Sequence, residues 1–417
     1  MDLPINKRGD NMPNLTEDFI LRESQVCAPN YHPIPVVITK AKGVWMWDVE
    51  GRKYLDMMSA YSAVSHGHSH DRLLKALNEQ AQKLAMISRA FYTDQLAPLL
   101  EKVCKLAQFD MGLPMNTGAE AVETAIKASR RLGYRSKGIP TNQAEIIVCK
   151  NNFHGRTTTI ISFSSEPSYK EHFGPCTPGF KHVPFGDAAA FEAAITENTC
   201  AFLVEPIQGE AGIIVPPEGY LKAVRDICTK HNVLLIMDEV QSGLGRTGKM
   251  FAFEHESIHP DGLILGKALG GGLLPISMFL SNRDVLKHMV PGSHGSTFGG
   301  NPLACHVAST AIDVLIEEGL VENSRVLGKY LQDELKKIRS PLIQSVHGRG
   351  LWVGLEFNPD FVSARRVCEM LEEKGVLSKE THETVVRLAP PLVIIKEEVD
   401  FALEKIKETV EEIEANL

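Results

Sequence analysis

Short apolar runs alternate with amphipathic stretches along most of this chain. Continuous apolar runs at 146–149, 201–204, 233–237 and 263–265 are typical of strands whose two faces are both covered, as in a parallel sheet. Helical stretches such as 221–230 lie between these runs. The alternation predicts an α/β fold around a mostly parallel central sheet.

The two ends of the chain have different patterns. The mostly apolar segments 44–48 and 54–55 flank a polar turn at 50–52, which predicts a hairpin outside the main sheet. Apolar residues at 399, 403, 406, 410, 413 and 417 follow three- and four-residue steps and predict an amphipathic C-terminal helix. We therefore expect an N-terminal segment (1–55) that packs with a small domain, a large domain (56–305) and a small α+β C-terminal domain (306–417).

Residues 262–282 form an apolar segment long enough to cross a membrane. The segment contains five glycines, a proline and one charged residue, Lys267, near its start. This composition favours a buried strand followed by a tight loop, so we expect no membrane span.

Composition favours a protein that handles small molecules. The 417 residues are 43% hydrophobic and carry 44 basic and 52 acidic side chains, without a basic patch that would indicate nucleic-acid binding. Eight widely spaced cysteines form no C-x-x-C pair, as expected in a reducing compartment. The first 18 residues resemble neither a secretory nor a mitochondrial presequence, so we predict a cytoplasmic location.

Three ionisable residues follow predicted strands. Glu205 comes after AFLV, Asp238 after VLLIM, and Lys267 after LIL and one glycine. Ligands of parallel sheets bind at the carboxyl ends of strands. A lysine in an apolar setting has a lowered pKa and can form a Schiff base. A carboxylate nearby can keep a pyridinium nitrogen protonated, although a strand-end aspartate alone is an ordinary turn residue.

A second candidate site lies in MNTGAEAVETAIKASRRLG. Thr117 and Gly118 precede a helix whose first amides can bind a phosphate. An ordinary helix cap, with Glu120 and Glu123 facing the positive end of the helix dipole, explains the same residues.

Six segments in order resemble class-III transaminases that act on ω-amino groups with pyridoxal 5'-phosphate (PLP): NTGAEAVETA, NFHGRT, EPIQGEAG, DEVQSGLGRTG, LGKALGGG and GSTFGGNP. The resemblance extends from about residue 20 to the C-terminus. It implies a fold-type-I PLP transferase, with the cofactor in the large domain, and a homodimer with shared active sites.

The resemblance also implies roles for individual residues. Lys267 would carry the cofactor and move the proton, Asp238 would bind the ring nitrogen, and Phe153 would stack on the ring. The full set of implied cofactor contacts is Gly118, Ala119, Phe153, Asp238, Gln241 and Lys267, with Ser296 and Thr297 supplied by the neighbouring subunit.

NYHPIPV and SAYSAVSHGH are similar to members of the family that act on ornithine. This similarity implies transfer of the δ-amino group of L-ornithine to 2-oxoglutarate, giving L-glutamate 5-semialdehyde and L-glutamate. Tyr31 and Tyr61 would line the substrate pocket, and Arg156 would bind the α-carboxylate. Glu210 would neutralise Arg387 for one substrate and release it for the other.

Several alternatives stay open at this point. Acetylornithine, 4-aminobutyrate or another ω-amino acid is an alternative donor, and a non-catalytic binding module is an alternative to an enzyme. GLGRTG matches a dinucleotide motif but lacks the helix that should follow, and GLILGKA has the wrong spacing for a P-loop. His66, His68 and His70 have the alternation of a metal site, but their glycine and serine neighbours favour a loop, so we predict no metal.

Overall fold

The computed structural model describes residues 14–417. Its helices are α1 Leu15–Ser24, α2 Asp71–Lys83, α3 Leu96–Ala107, α4 Gly118–Ser136, α5 Thr158–Ser162, α6 Ala188–Ala194, α7 Tyr220–Lys230, α8 Arg283–Leu286, α9 Pro302–Glu317, α10 Leu320–Leu335, α11 Ala364–Glu373 and α12 Lys396–Ala415. Its strands are β1 Ile38–Lys42, β2 Trp45–Asp48, β3 Lys53–Asp56, β4 Met111–Met115, β5 Glu145–Cys149, β6 Phe180–Val183, β7 Thr199–Val204, β8 Leu234–Asp238, β9 Gly262–Leu265, β10 Ser277–Ser281, β11 Ile343–Gly348, β12 Val353–Phe357, β13 Val376–Leu377, β14 Lys379–Thr381 and β15 Val385–Leu388.

The central sheet has seven strands in the order β4-β10-β9-β8-β7-β5-β6. All run parallel except β10, which is antiparallel to both β4 and β9. The four apolar runs predicted as buried strands form β5, β7, β8 and β9, so the α/β prediction with a mostly parallel sheet is confirmed.

Both faces of this sheet are covered, which explains the continuous apolar runs. All six residues of β7 are buried. Ala201 and Leu203 pack in one apolar cluster with residues of α4. Phe202 and Val204 point to the other face and join the cluster that contains residues of α7.

The segment 262–282 folds as two strands of the central sheet, β9 and β10, joined by a tight 3-10 turn. Met278 pairs with Leu265 across the two antiparallel strands. Sequence analysis predicted only the first strand, because glycines and a proline at 270–275 indicated a loop. In the described part of the chain, no helix is long and apolar enough to cross a membrane.

Two smaller sheets lie outside the central one. The predicted hairpin is present, since β2 and β3 are antiparallel with Trp45 opposite Leu55. In its sheet, β1-β2-β3-β13, the short strand β13 comes from the C-terminal part of the chain. The other sheet has the order β11-β12-β15-β14. The N-terminal segment and the C-terminal part thus share a sheet, while residues 1–13 of the predicted 1–55 segment lie outside the described residues.

The C-terminal helix α12 buries four positions of the predicted apolar stripe, Val399, Ile406, Val410 and Ile413. Leu417 was wrongly included in this stripe. It lies beyond the end of the helix and is 68% exposed.

Residues 59–62 form a single left-handed turn that carries Tyr61. Their φ angles are +44°, +47°, +58° and +71°, and none of the four is glycine. Left-handed backbone costs roughly 1–2 kcal/mol for each such residue. The Asp56 carboxylate accepts hydrogen bonds from the amides of Met58 and Ser59 at 2.8 Å, which stabilises the entry to the turn.

Candidate active site

The carboxyl ends of β7, β8 and β9 place Glu205, Asp238 and Lys267 at one edge of the central sheet. Burial lowers the pKa of Lys267, although the negative charges of Glu210, Asp238 and Glu205 act in the opposite direction. A lowered pKa makes the neutral amine more available. Lys267 also has φ +44°, a strained conformation for a non-glycine residue that is often found at functional sites.

The Asp238 carboxylate is buried and held by two hydrogen bonds. One oxygen contacts Nδ1 of His154 at 2.7 Å, and the other accepts from the amide of Val240 at 3.0 Å. Burial acts to lower the pKa of His154, but the hydrogen bond and charge of Asp238 outweigh burial and raise this pKa. The contact with His154 therefore fixes the position of the Asp238 carboxylate.

Glu205 connects two loops beneath the site. Its carboxylate accepts from the amide of Phe153 at 3.0 Å and from the amide of Gly209 at 3.3 Å. Burial raises the pKa of Glu205 to about 7. Glu205 therefore positions the loop that carries Phe153 and His154.

The start of α4 combines a helix cap with free amides. Thr117 and Glu120 form a capping box, so the helix does begin with an ordinary cap. Within residues 14–417, however, the amides of Gly118 and Ala119 donate no hydrogen bond. Two adjacent free amides at the positive end of a 19-residue helix are suited to bind an anion.

Loops from the sheet edge pack closely on this helix end. A Cβ at Gly118 would lie 3.0 Å from the Val240 side chain, and a Cβ at Gly155 would lie 2.8 Å from Cβ of Ala119. The loops after β5 and β8 can therefore approach the helix end only because these positions are glycine. They place Phe153 and Asp238 beside the predicted phosphate site.

Gln241 lies three residues beyond Asp238 and is half-buried. A Cβ at Gly209 would lie 2.4 Å from its side-chain oxygen. The Gly209 turn after β7 thus makes room for the Gln241 amide, which agrees with a position near the predicted cofactor.

The loop with Ser296 and Thr297 lies against the same helix end within one chain. The Ser296 hydroxyl accepts from the Asn116 side chain at 2.8 Å and from the Gly299 amide at 3.1 Å. Thr297 is exposed. Its predicted contact with the cofactor of a neighbouring subunit stays a prediction.

Arg387 is 5% exposed and forms an ion pair with Glu210, with 2.8 Å between Nη1 and Oε1. Its guanidinium carbon lies 4.8 Å from the centre of the Tyr61 ring. Tyr31 is 75% exposed. Burial is the main cause of the raised pKa of Tyr61, and Tyr31 is among the groups near enough to contribute. The structure therefore brings together four residues that sequence analysis assigned to the substrate pocket.

Arg156 lies at the mouth of the same site. Its guanidinium carbon is 3.4 Å from the centre of the Tyr169 ring and 5.5 Å from that of Phe153. Phe153, Tyr169 and Glu210 line one cleft. In the described part of the chain Arg156 forms no ion pair, so its guanidinium is available for a carboxylate.

Sequence analysis missed three residues of this site, namely His154, Glu205 as a loop anchor, and Tyr169. The signal for His154 was its position in NFHGRT, directly after Phe153. Tyr169 lies outside the recognised segments, and its contact with Arg156 requires the tertiary structure.

The three alternating histidines have separate partners. Nε2 of His66 contacts the carbonyl of Ala311, His68 contacts Asp56, and His70 contacts Glu318. Across residues 14–417, no group of three or more His, Cys, Asp or Glu side chains could hold a metal ion.

Comparisons with known proteins agree with this geometry. The model of the family "Aminotransferase class-III" matches residues 26–410. The chain belongs to the class-III aminotransferase family. Class-III aminotransferases depend on PLP, and this chain is therefore a PLP-dependent aminotransferase with the fold-type-I architecture.

Several relatives of this class-III aminotransferase are similar over nearly the whole chain. Ornithine aminotransferase of Halalkalibacterium halodurans is 59% identical and covers 95% of this chain and 98% of its own length. The structure of ornithine aminotransferase from Toxoplasma gondii, with PLP at partial occupancy in its active site, has a TM-score of 0.95 at 43% identity, covering 96% and 95% of the two chains. Acetylornithine aminotransferase from Elizabethkingia anophelis has a TM-score of 0.87 at 48% identity, covering 95% and 99%.

The residues present in this aminotransferase fit PLP. The free amides of Gly118 and Ala119 suit its phosphate, and the buried Asp238 carboxylate suits a protonated ring nitrogen. Lys267 provides an amine of lowered pKa at the same sheet edge. The glycines at 118 and 155 let the loops that carry Asp238 and Phe153 approach this helix end.

Proposed function

We propose that this aminotransferase transfers the δ-amino group of L-ornithine to 2-oxoglutarate, giving L-glutamate 5-semialdehyde and L-glutamate. The observation that carries the proposal is the buried ion pair between Arg387 and Glu210 beside Tyr61. The proposal is supported by the 57–59% sequence identity between this chain and relatives named ornithine aminotransferase.

In the proposed reaction, Lys267 carries PLP and moves a proton at its Nζ atom. Burial lowers the pKa of this amine, which favours the neutral form that a general base requires. PLP, when bound, supplies an electron sink that stabilises a carbanion. His154 holds the Asp238 carboxylate in place, so that Asp238 can keep the ring nitrogen protonated.

Arg156 is proposed to bind the carboxylate that lies farther from the reacting carbon, which is the α-carboxylate of ornithine and the γ-carboxylate of 2-oxoglutarate. Guanidinium geometry is suited to a bidentate contact with a carboxylate. The Tyr169 ring supports the guanidinium from one side at 3.4 Å and leaves its edge free. This contact directs the other end of the substrate toward Lys267.

Glu210 and Arg387 are proposed to distinguish the two substrates. Ornithine presents an amine at its far end, and Glu210 then neutralises the buried Arg387. 2-Oxoglutarate presents a second carboxylate, which can replace Glu210 on the guanidinium. A buried arginine without any partner is costly, so one carboxylate or the other always occupies Arg387.

We also propose a cytoplasmic homodimer in which Ser296 and Thr297 complete the cofactor site of the neighbouring subunit. The exposed Thr297 and the 58% exposed Phe298 next to it are accessible to a second chain, as this proposal requires.

A second candidate donor is acetylornithine, since one structure 48% identical to this chain is an acetylornithine aminotransferase. Steady-state kinetics with 2-oxoglutarate and either ornithine, acetylornithine or 4-aminobutyrate distinguishes the candidates. We expect kcat/KM to be roughly 100-fold higher for ornithine than for acetylornithine. Acetylation removes the charge of the α-amino group, so the pocket group that pairs with this charge loses its partner. Equal or higher kcat/KM with acetylornithine would overturn the proposed donor.

A further inference from the structure

Arg246 is fully buried, and the proposed mechanism leaves it without a role. Its Nη1 donates to the carbonyls of Leu351 at 2.8 Å and Pro390 at 2.6 Å. Its Nη2 donates to the hydroxyls of Ser59 at 3.1 Å and Ser65 at 3.0 Å. Arg246 thus joins three segments that are distant in sequence, with no carboxylate within ion-pair distance among the described residues.

The two serines extend these contacts into the left-handed turn 59–62. The Ser65 hydroxyl donates to the carbonyl of Ser62 at 3.0 Å, at the end of the turn. The Ser59 hydroxyl donates to the carbonyl of Ala389 at 2.7 Å, at its start. One guanidinium therefore secures both ends of the turn that carries Tyr61.

The other side of Arg246 contacts the segment that follows Arg387. Arg246 donates to the carbonyl of Pro390, which lies three residues after Arg387. The carbonyl of the preceding residue, Ala389, accepts a hydrogen bond from the Ser59 hydroxyl. Tyr61 and Arg387 are thus carried by two segments that meet at the same buried side chain. Their own contact is the 4.8 Å approach of the guanidinium to the ring.

We propose that Arg246 is a positioning residue for substrate selection, which holds the Tyr61 turn and the Arg387 segment in register. The relative placement of Tyr61 and Arg387 decides how well a second carboxylate can reach Arg387. This inference rests on the proposed function, because it assigns the acceptor-binding end of the pocket to these two residues.

Only an arginine side chain can hold the two segments together in this way. Its planar group directs two nitrogens toward two pairs of acceptors, whereas a lysine has one nitrogen and cannot span both segments. Burial lowers the pKa of Arg246 to about 9, and only the charge of Asp56 opposes this effect. A buried cation without a paired acid is expensive, which argues that its position serves a purpose other than stability.

The test compares Arg246→Lys and Ser65→Ala with wild type. We expect Arg246→Lys to raise KM for 2-oxoglutarate about tenfold, while the single-turnover rate with saturating ornithine stays within about threefold, because Lys267 and Asp238 are untouched. Ser65→Ala removes one contact to the turn and should raise the same KM about threefold. The visible absorbance of the bound cofactor should be unchanged in both variants.

Arg225→Lys is the matched control, since Arg225 is a mostly buried arginine outside the site. It forms an ion pair with Asp261, with 2.8 Å between Nη1 and Oδ2. Its KM for 2-oxoglutarate should equal that of wild type. If Arg246→Lys does not fold, Ser65→Ala decides the question.

Unchanged KM for 2-oxoglutarate, or a parallel fall of the ornithine and 2-oxoglutarate rates, would show that Arg246 is merely structural and overturn the inference. Failure of the proposed function has a different signature, because wild type itself would then not accept ornithine. Failure of this inference is thus seen in the variants, whereas failure of the proposed function is seen in the wild type.

Discussion

Replacing Lys267 with alanine is expected to lower kcat by roughly 10⁴-fold, the upper range for loss of a general acid and base. Lys267 is the amine of lowered pKa at the carboxyl ends of the central strands. Single-turnover kinetics with ornithine and the PLP-loaded variant measures the effect.

Lys137→Ala is the matched control for this experiment. Burial also lowers the pKa of Lys137, whose amine donates to the carbonyl of Thr199 at 2.8 Å, outside the site. The control should retain wild-type kcat. A Lys267→Ala variant with kcat within tenfold of wild type would contradict the assignment of Lys267.

Replacing Glu210 with glutamine or alanine should shift reaction from the δ-amino group of ornithine toward α-amino groups. Without the Glu210 carboxylate, Arg387 is left as a buried and unneutralised cation, which disfavours the amine end of ornithine and attracts carboxylates. We expect the ratio of kcat/KM for glutamate to that for ornithine to rise about 100-fold, a free-energy change of roughly 3 kcal/mol.

Glu166→Gln tests whether this effect is specific. Glu166 lines the same cleft, and its replacement changes the net charge equally, but it does not pair with Arg387. The control should leave the ratio of the two donors unchanged. Unaltered selectivity in the Glu210 variants would rule out the exchange of partners on Arg387.

The fold was predictable where local pattern and tertiary environment agree. Doubly covered strands such as β7 need apolar residues on both faces, and the sequence shows them as continuous runs. Strand β10 was missed because its pairing with β4 and β9 depends on a chain reversal over glycines that resemble a loop. The left-handed turn at 59–62 was unpredictable, because Ser-Ala-Tyr-Ser has no preference for positive φ.

The same distinction applies to the site. Lys267 and Asp238 could be recognised because each lies at the end of an apolar run, in a segment that resembles a known family. His154 and Asp238 are 84 positions apart, and their contact depends on how two loops meet. Arg246 was noticed only as part of GLGRTG, whose similarity to a dinucleotide motif concealed its contacts with Ser59 and Ser65.

The central claim is that the site presents the far amine of ornithine to Lys267, and nitrogen labelling tests this most directly. Wild-type protein is incubated with 2-oxoglutarate and ornithine that carries ¹⁵N at the δ position only, and the glutamate formed is analysed by mass spectrometry. The account predicts ¹⁵N in the newly formed glutamate and an unlabelled α-amino group in the semialdehyde product. Unlabelled glutamate, with ¹⁵N retained in the other product, would contradict it.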